Sequence, residues 1–251
     1  MIKNDFHSHI LHGIDDGAKT IEESLAMLEI LENSGVENLV LSPHFYCGNT
    51  DMEKMLEERE TAFDQLKREY KGGISLNLGA EVGVNTKYNK FSSLKKLAIN
   101  GGQYLLLELP FQKDWKNLGS WMIDLMEETD LVPIIAHVEY YEQVLAKPQI
   151  VSDFIDMGCK VQVNATSFLD KGLESLVLKL VETGHVQCIG SDAHNLGRRP
   201  PKIAECGKKI ESVFGHGAID KINNSSDKIL EGKTFNSRYS KSVKKFFGKY
   251  K

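Results

Sequence analysis

Short apolar runs rich in β-branched residues alternate along this chain with longer amphipathic stretches, and no other feature restricts the fold as much. The runs fall in the segment entering His7 and then at 36–42, 74–80, 104–109, 132–136, 160–164 and 186–190. Between them the apolar spacing changes to three or four. Ile21, Leu25, Leu28 and Leu31 form one stripe, Leu118, Met122, Leu125 and Met126 another, and Leu173, Leu176, Leu180 and Val181 a third. Thr20 with Glu23 reads as a capping box, and Gly35 and Gly184 stand where left-handed helix ends are expected. Strands that alternate with helices pair in parallel through right-handed crossovers. Seven such units predict a closed or nearly closed (β/α)7 barrel, with an open doubly wound sheet as the alternative. No internal repeat or low-complexity linker divides the 251 residues, so a single domain, 1–251, is expected.

What stands at the strand ends matters more for function. His7 and His9 follow the first strand, and His44, Glu81 and Glu108 mark the next three. His137 follows the fifth, Asn164 the sixth, and Asp192 with His194 the seventh. Parallel barrel strands all open on one face, so these polar residues converge on one mouth. A single buried His is usually a satisfied core residue. Metal-competent residues at six of seven strand ends, however, are not explained by independent accidents. His7-x-His9 puts two imidazoles on one side of an extended chain, and Asp192-x-His194 repeats the device. Glu81 and Glu108 add bridging or terminal oxygens, and Asp16 in the loop Gly13–Gly17 adds another. Asp15 is its rival, and one of this pair could instead cap the next helix. His12, His185 and His216 lie off the strand ends and read as structural or solvated.

Five neutral His with Asp16, Glu81, Glu108 and Asp192 supply nine ligand groups and four negative charges. That is too many for one tetrahedral ion but suits three divalent ions, leaving a net charge of about +2 for a phosphate dianion. Mixed imidazole and carboxylate donors fit Mn, Fe, Co or Zn, and no Cys accompanies them to make a thiolate zinc site.

Composition excludes other classes. Hydrophobic residues at 41%, charged residues at 26% and a net charge of −4 are ordinary for a soluble domain and oppose general nucleic-acid affinity. Cys47, Cys159, Cys188 and Cys206 form no CxxC pair and read as reduced, mostly buried thiols. A cysteine phosphatase loop needs Arg six residues after the thiol, but Glu53 follows Cys47 and Ala165 follows Cys159 at that spacing. The first residues lack a signal-peptide apolar run, and no stretch reaches the ~20 apolar residues of a membrane span. A soluble, cytoplasmic protein is expected.

The run Asp5-Phe-His-Ser-His-Ile-Leu-His-Gly-Ile-Asp-Asp-Gly17 resembles the opening of the PHP (polymerase and histidinol phosphatase) superfamily. More narrowly, it resembles the tyrosine-protein phosphatases of bacterial capsule and exopolysaccharide clusters. The likeness continues through Ser42-Pro-His44, Gly79-Ala-Glu81, Leu107-Glu108, Ala136-His137, Gln162-Val-Asn-Ala165 and Gly190-Ser-Asp-Ala-His-Asn195 to Arg199-Pro-Pro201, over residues 1–232. It implies a distorted (β/α)7 TIM-like barrel (the PHP fold), three metal ions, usually manganese, and hydrolysis of phosphotyrosine on an autophosphorylating tyrosine kinase. It also implies a division of ligands. His7, His9, Glu81 and Asp192 hold one ion; Glu81 bridges to a second held with Glu108 and His137; Asp16, His44 and His194 hold the third. Arg199 is then the phosphate contact, and Arg199, Asp192 and His44 form the catalytic set. The family's second Arg, after the fifth strand, is replaced here by Tyr140, which leaves one substrate clamp missing. His12 stands where the family often has Pro.

Three rivals remain at this point. One is another phosphomonoesterase of the superfamily, such as a histidinol phosphatase. A binuclear amidohydrolase would need a Lys at a strand end, and none is suitably placed. The third is a non-catalytic, metal-stabilised regulatory domain. The C-terminal segment 238–251 differs in character: it holds six Lys or Arg and no acid. Val243, Phe246, Phe247 and Tyr250 predict an amphipathic helix packed on the barrel, with contact to anionic lipid or a membrane kinase as the alternative.

Overall fold

The computed structural model describes residues 1–111, 115–246 and 249–250. Barrel strands and helices alternate in the order β1 Asn4–Asp5, α1 Ile21–Asn33, β2 Asn38–Leu41, β3 His44–Tyr46, α2 Met52–Glu69, β4 Ser75–Leu78 and β5 Glu81–Gly83. There follow α3 Phe91–Leu94, β6 Tyr104–Glu108, α4 Leu118–Thr129, β7 Val132–Ile135, α5 Glu142–Ala146, α6 Gln149–Asp156, β8 Lys160–Asn164, α7 Glu174–Thr183 and β9 Cys188–Gly190. Two further helices, α8 Ile203–Phe214 and α9 His216–Leu230, precede a small pair of strands, β10 Lys245–Phe246 and β11 Lys249–Tyr250.

Every barrel pairing is parallel: β1 with β2, β2 with β4, β3 with β5, β5 with β6, β6 with β7, β7 with β8, β8 with β9, and β9 with β1. β2 and β4 fall within the expected strands 36–42 and 74–80, and β3 and β5 continue them past their expected ends; counted so, the ring has seven strands and closes. The breaks lie at Ser42-Pro43 and Gly79-Ala80. Pro43 has no N–H for the ladder, so pairing lapses and resumes one residue later. Across the gap, the Ser42 amide donates to Ser8 O and the Gly79 amide to Leu41 O, each at 2.9 Å. Both continuations begin on a candidate ligand, His44 and Glu81, which therefore lie in the strands rather than beyond them.

The helices follow their apolar stripes. Met27, Leu28 and Leu31 of α1 are buried against the barrel. Thr20 caps that helix by accepting from the Glu23 amide, but Glu23 reaches back to the Lys19 amide rather than to Thr20, so the capping box is only half formed. Gly35 and Gly184 have φ of 83°, as their positions after α1 and α7 require. Alternation along each strand divides the core. Leu105, Leu107, Ile135, Val161 and Val163 face the helices, whereas Phe6, Val40, Tyr104, Leu106, Ile134 and Cys188 form a separate cluster with Ile229 of α9. That second cluster fills the barrel below the mouth.

The tail departs from expectation. β10 and β11 pair antiparallel, Lys245 with Tyr250 and Phe246 with Lys249, where the periodicity predicted a helix. Phe247 and the side chain of Phe246 lie outside the described residues. A helix of this length has little stability alone, and Gly248 within it costs about 1 kcal/mol. Contacts with the barrel decide instead. Val243 is buried, the Ser240 amide donates to Thr183 O, and Lys245 Nζ donates to Leu145 O.

Candidate metal centre

All five strand-end imidazoles and four acids expected at the mouth lie there together. Three sets of donor atoms, each within 4.8 Å of one another, could hold an ion: His9, Asp16, His44 and His194; His7, His9 and Glu81; and His44, Glu81 and Glu108. Glu81 is at the centre. Its carboxylate lies 3.2 Å from His7 Nε2, 2.9 Å from His44 Nδ1 and 2.9 Å from His137 Nε2. Asp192 Oδ1 is 3.6 Å from the Nε2 atoms of both His7 and His9, and Glu108 is 3.8 Å from His137. The grouping differs from the one the resemblance implied: His9 also joins the Asp16 set, and His44 joins Glu81 and Glu108. Asp16 is 67% exposed, with Oδ1 3.5 Å from His44 and 3.4 Å from His194. Asp15 turns inward to His9, and neither acid caps α1.

Three of the five imidazoles are oriented as metal-binding histidines usually are, one nitrogen anchored and the other turned to the cluster. His9 Nδ1 bonds Asp15 Oδ2 at 2.7 Å, His7 Nδ1 lies 3.3 Å from Gln162 Oε1, and His194 Nδ1 is 3.0 Å from Asp192 O. The freed Nε2 atoms of His7 and His9 come within 3.1 Å of each other. His44 Nδ1 is near Glu81 without hydrogen-bond alignment, and His137 Nδ1 is buried with no partner among the described residues. Converging lone pairs and buried carboxylates are a donor set that suits divalent cations. The backbone also works to aim them. His137 has φ 31° and ψ 52°, and Asp192 has φ 51°, both in the left-handed region. Such conformations cost about 1–2 kcal/mol for residues other than Gly and persist where surrounding structure holds them.

Charge at the mouth is strongly coupled. Burial works against a proton on His9, yet Asp15 and Glu81 outweigh it and raise His9 to about 10. His137 rises to about 9 against the same burial penalty, mainly through Glu81. Burial opposes ionisation of Asp192, but His7 and His9 draw it down to about 2. His194 falls to about 4, first from burial and then from the charge on His9. An entering cation therefore competes with protons on at least two imidazoles.

Asn164 was expected at the mouth, but the hydrogen-bond roles of its neighbours were not anticipated. The inward positions of β8 are Lys160, Gln162 and Asn164, all buried. Gln162 accepts from the His137 amide at 2.8 Å and donates to Asn164 Oδ1, and Asn164 Nδ2 donates to Asp192 Oδ2 at 2.7 Å. This relay fixes three candidate ligands. Its signal was polar alternation within a strand buried on both faces. Glu139, fully buried, accepts from the Asn164 amide and Ser167 Oγ. Asp5 accepts from the Ser191 amide, and burial pushes it up to about 6.

Arg199 reaches over the mouth. Its Nη2 is 2.7 Å from Asp192 Oδ2 and its Nη1 2.8 Å from His194 Nε2. Arg198 has no side-chain hydrogen bond or ion pair to a described residue. Tyr140 stacks beside His137 with centroids 5.6 Å apart, its hydroxyl 3.3 Å from Thr166 Oγ1. The remaining histidines are elsewhere. His12 meets Gln65, His185 meets Ser152 and Thr183, and His216 is exposed beside Glu211. All four cysteines are buried free thiols, and burial pushes Cys47 and Cys159 up to about 12.

A closed parallel barrel with clustered His, Asp and Glu at the C-terminal ends of its strands is the architecture of a metallohydrolase. Residues 3–231 match the family model described as capsular polysaccharide synthesis, CpsB/CapC, and the chain belongs to that family. It is similar to tyrosine-protein phosphatase CpsB of Streptococcus agalactiae serotype III (strain NEM316), 28% identical over 229 residues, which cover 84% of this chain and 90% of that one. Tyrosine-protein phosphatase YwqE of Bacillus subtilis (strain 168) is 27% identical over 252 residues, covering 97% and 98%. Among solved structures, one of the metal-dependent tyrosine phosphatases YwqE from Bacillus subtilis and CpsB from Streptococcus pneumoniae superposes with a TM-score of 0.82 at 23% identity, over 95% of this chain and 99% of that one. The phosphotriesterase homology protein of Escherichia coli shares the fold at a TM-score of 0.54 and 14% identity, over 89% and 97%.

Proposed function

We propose that this chain is a metal-dependent protein-tyrosine phosphatase whose substrate is an autophosphorylating bacterial tyrosine kinase that controls capsular or exopolysaccharide synthesis. The observation that carries the reading is the convergence of nine imidazole and carboxylate groups beneath the Arg199 guanidinium. The names of the relatives support the substrate class. In this reading His7, His9, Asp16, His44, Glu81, Glu108, His137, Asp192 and His194 hold three divalent ions, with manganese the first candidate. Such ions supply a nucleophilic hydroxide at neutral pH and neutralise phosphoryl charge.

The protein's own groups do the rest. The planar Arg199 fork suits two phosphoryl oxygens: its Nη1 would give up His194 Nε2 once that nitrogen holds an ion, and its Nη2 would exchange Asp192 for substrate. Asp192 holds that fork in place when no substrate is bound. His44, at the edge of the mouth beside Glu81, is positioned to hold an ion or a proton near the reacting oxygen. Tyr140, in place of a second Arg, leaves Arg199 the larger share of phosphate binding. A phenol with pKa about 10 departs more readily than an alcohol, so the demand for a general acid is low.

The same reading takes residues 1–251 as one domain with a basic C-terminal segment, 238–251, whose Ser240, Val243 and Lys245 meet the barrel. It places the protein in the cytoplasm, where a kinase draws its ATP. No helix among the described residues is long and apolar enough to cross a membrane. The deciding assay compares a phosphotyrosine peptide, a phosphoserine peptide and histidinol phosphate with Mn supplied, before and after chelation. Activity should favour phosphotyrosine, vanish with chelator, return with Mn and survive thiol alkylation. Full activity in metal-free protein refutes the mechanism, and preference for histidinol phosphate refutes the substrate.

A further inference from the structure

Two large aromatic rings at the mouth are left open to solvent. Tyr46 is 44% exposed and Phe111 is 54% exposed, whereas every other Phe, Tyr and Trp side chain among the described residues is buried or half-buried. Each lies nearly parallel to a candidate ligand: Tyr46 on His44 with centroids 5.1 Å apart and planes at 21°, Phe111 on His137 at 5.8 Å and 19°. Both line one cleft of about 420 Å³, which also takes in Glu108, Leu109, Pro110 and Trp115. The cleft therefore runs outward from the metal centre at Glu108.

Its walls are held from behind. Phe111 packs on Tyr141 at 5.2 Å, and Tyr141 packs on Trp115 at 5.4 Å. The Leu109 amide donates to the Tyr141 hydroxyl, and Trp115 Nε1 donates to Pro110 O, both at 2.8 Å. On the opposite side, a Cβ at Gly83 would come within 2.6 Å of Tyr46 Cδ1 and 3.6 Å of Glu108 Oε2. Only a glycine there lets the Tyr46 ring lie down beside the Glu108 carboxylate. Both rings thus present an open face while their other faces are occupied.

We infer that the cleft between Tyr46 and Phe111 is a slot for the phenyl ring of an aryl phosphate, making these two residues specificity-determining; the inference rests on the phosphatase reading above. A phosphoryl group at the metal centre directs its ester oxygen outward, and an attached ring then enters the cleft at Glu108. Aromatic rings favour offset-stacked or edge-to-face neighbours with centroids 4.5–7 Å apart. An alkyl ester offers no such face and gains little from the same walls.

Binding tests the slot separately from turnover. Manganese-loaded protein is titrated with phenylphosphonate and with propylphosphonate, in wild type, Phe111→Ala, Phe111→Leu and Tyr46→Ala, with metal content measured in each. Wild type should prefer the aryl ligand by about tenfold or more, and Phe111→Ala should lose most of that preference while keeping its metal. Phe111→Leu, which keeps apolar bulk, should lose part of it. In kinetics, the ratio of kcat/KM for phenyl phosphate to that for an alkyl phosphate should fall in step, chiefly through KM. Equal wild-type affinity for the two phosphonates overturns the slot, as does a ratio unchanged in both alanine variants. A parallel loss of both ligands together with metal overturns it too, since the rings would then merely support His137 and His44. Aryl preference in a protein that hydrolyses no phosphate ester leaves the slot standing and sinks the phosphatase reading. Hydrolysis of phosphotyrosine with an unchanged ratio does the reverse.

Discussion

Replacing Arg199 by Ala separates catalysis from stability. The side chain is 46% exposed, and its fork bonds Asp192 at 2.7 Å and His194 at 2.8 Å. An ion pair so open to water contributes about 0–1 kcal/mol to folding. Asp192 keeps the Asn164 donor at 2.7 Å, and His7 and His9 act on its charge more strongly than Arg199 does. The melting temperature should therefore fall by no more than about 4 °C. On the proposed role, turnover should lose a preorganised charge aimed at the phosphoryl oxygens. Removal of such a group costs on the order of 10²-fold, about 3 kcal/mol in the transition state. The assay is kcat/KM on a phosphotyrosine peptide with Mn, together with elemental analysis and a thermal melt. Arg199→Ala should keep its metal and its fold and lose about 10²-fold or more in kcat/KM. Arg199→Lys should recover only part, because an ammonium lacks the planar fork. Near-normal kinetics in Arg199→Ala with a collapse in Arg198→Ala would move the clamp to the neighbouring residue. A rate that fell only in proportion to lost metal would make Arg199 a prop for Asp192, and the reasoning would fail.

His7→Ala and Asp192→Ala should each lower bound metal and abolish turnover, whereas His216→Ala should change neither; an unchanged metal count in His7→Ala would show the site is drawn wrongly. Metal affinity should weaken as pH falls below about 9, because His9 and His137 hold protons that an entering ion must displace. Competition titrations should show about tenfold per displaced proton per pH unit, and pH-independent binding would contradict the coupling. Burial lowers His185 to about 4, so its contribution to stability is complete above its ordinary value near 6.5 and is lost as pH falls from there towards 4. Denaturant midpoints should reveal a loss of about 2 kcal/mol after allowance for solvent screening, and His185→Gln should flatten it. Deleting 238–251 should leave hydrolysis of a small aryl phosphate nearly unchanged; a large loss in the still-folded protein would mean that the tail reaches the site.

Much of the site was legible because each strand end carried a residue type out of place in an apolar run. Seven recurrences of strand and helix then placed those residues on one face. What escaped was the set of residues whose meaning depends on a partner distant in sequence. Asn164 was legible as a polar strand end, but its bond to Asp192 and the contacts of Gln162 with His7 and His137 came only with the barrel. Phe111 and Tyr46 are unremarkable aromatics in sequence, 65 positions apart, and become a pair only across the mouth. The tail failed for a different reason. Its spacing fits a helix, but a short segment with Gly248 in it follows whatever surface it lands on, and it formed paired strands.

The sequence by itself determined the class of fold, the succession of strands and helices along the chain and the inventory of donors. Hydrophobic periodicity and strand-end polarity are local properties, written residue by residue. Tertiary structure alone decided which donors share an ion and which are anchored from behind. Those depend on closure of the ring, which brings β9 back to β1 and sets Asp192 against His7. The same closure made Glu81 the hub of the cluster and turned Asp15 inward to His9 while Asp16 faced the opening. Two adjacent aspartates with the same chemistry differ only in where the folded backbone points them, and no reading of spacing distinguishes their roles.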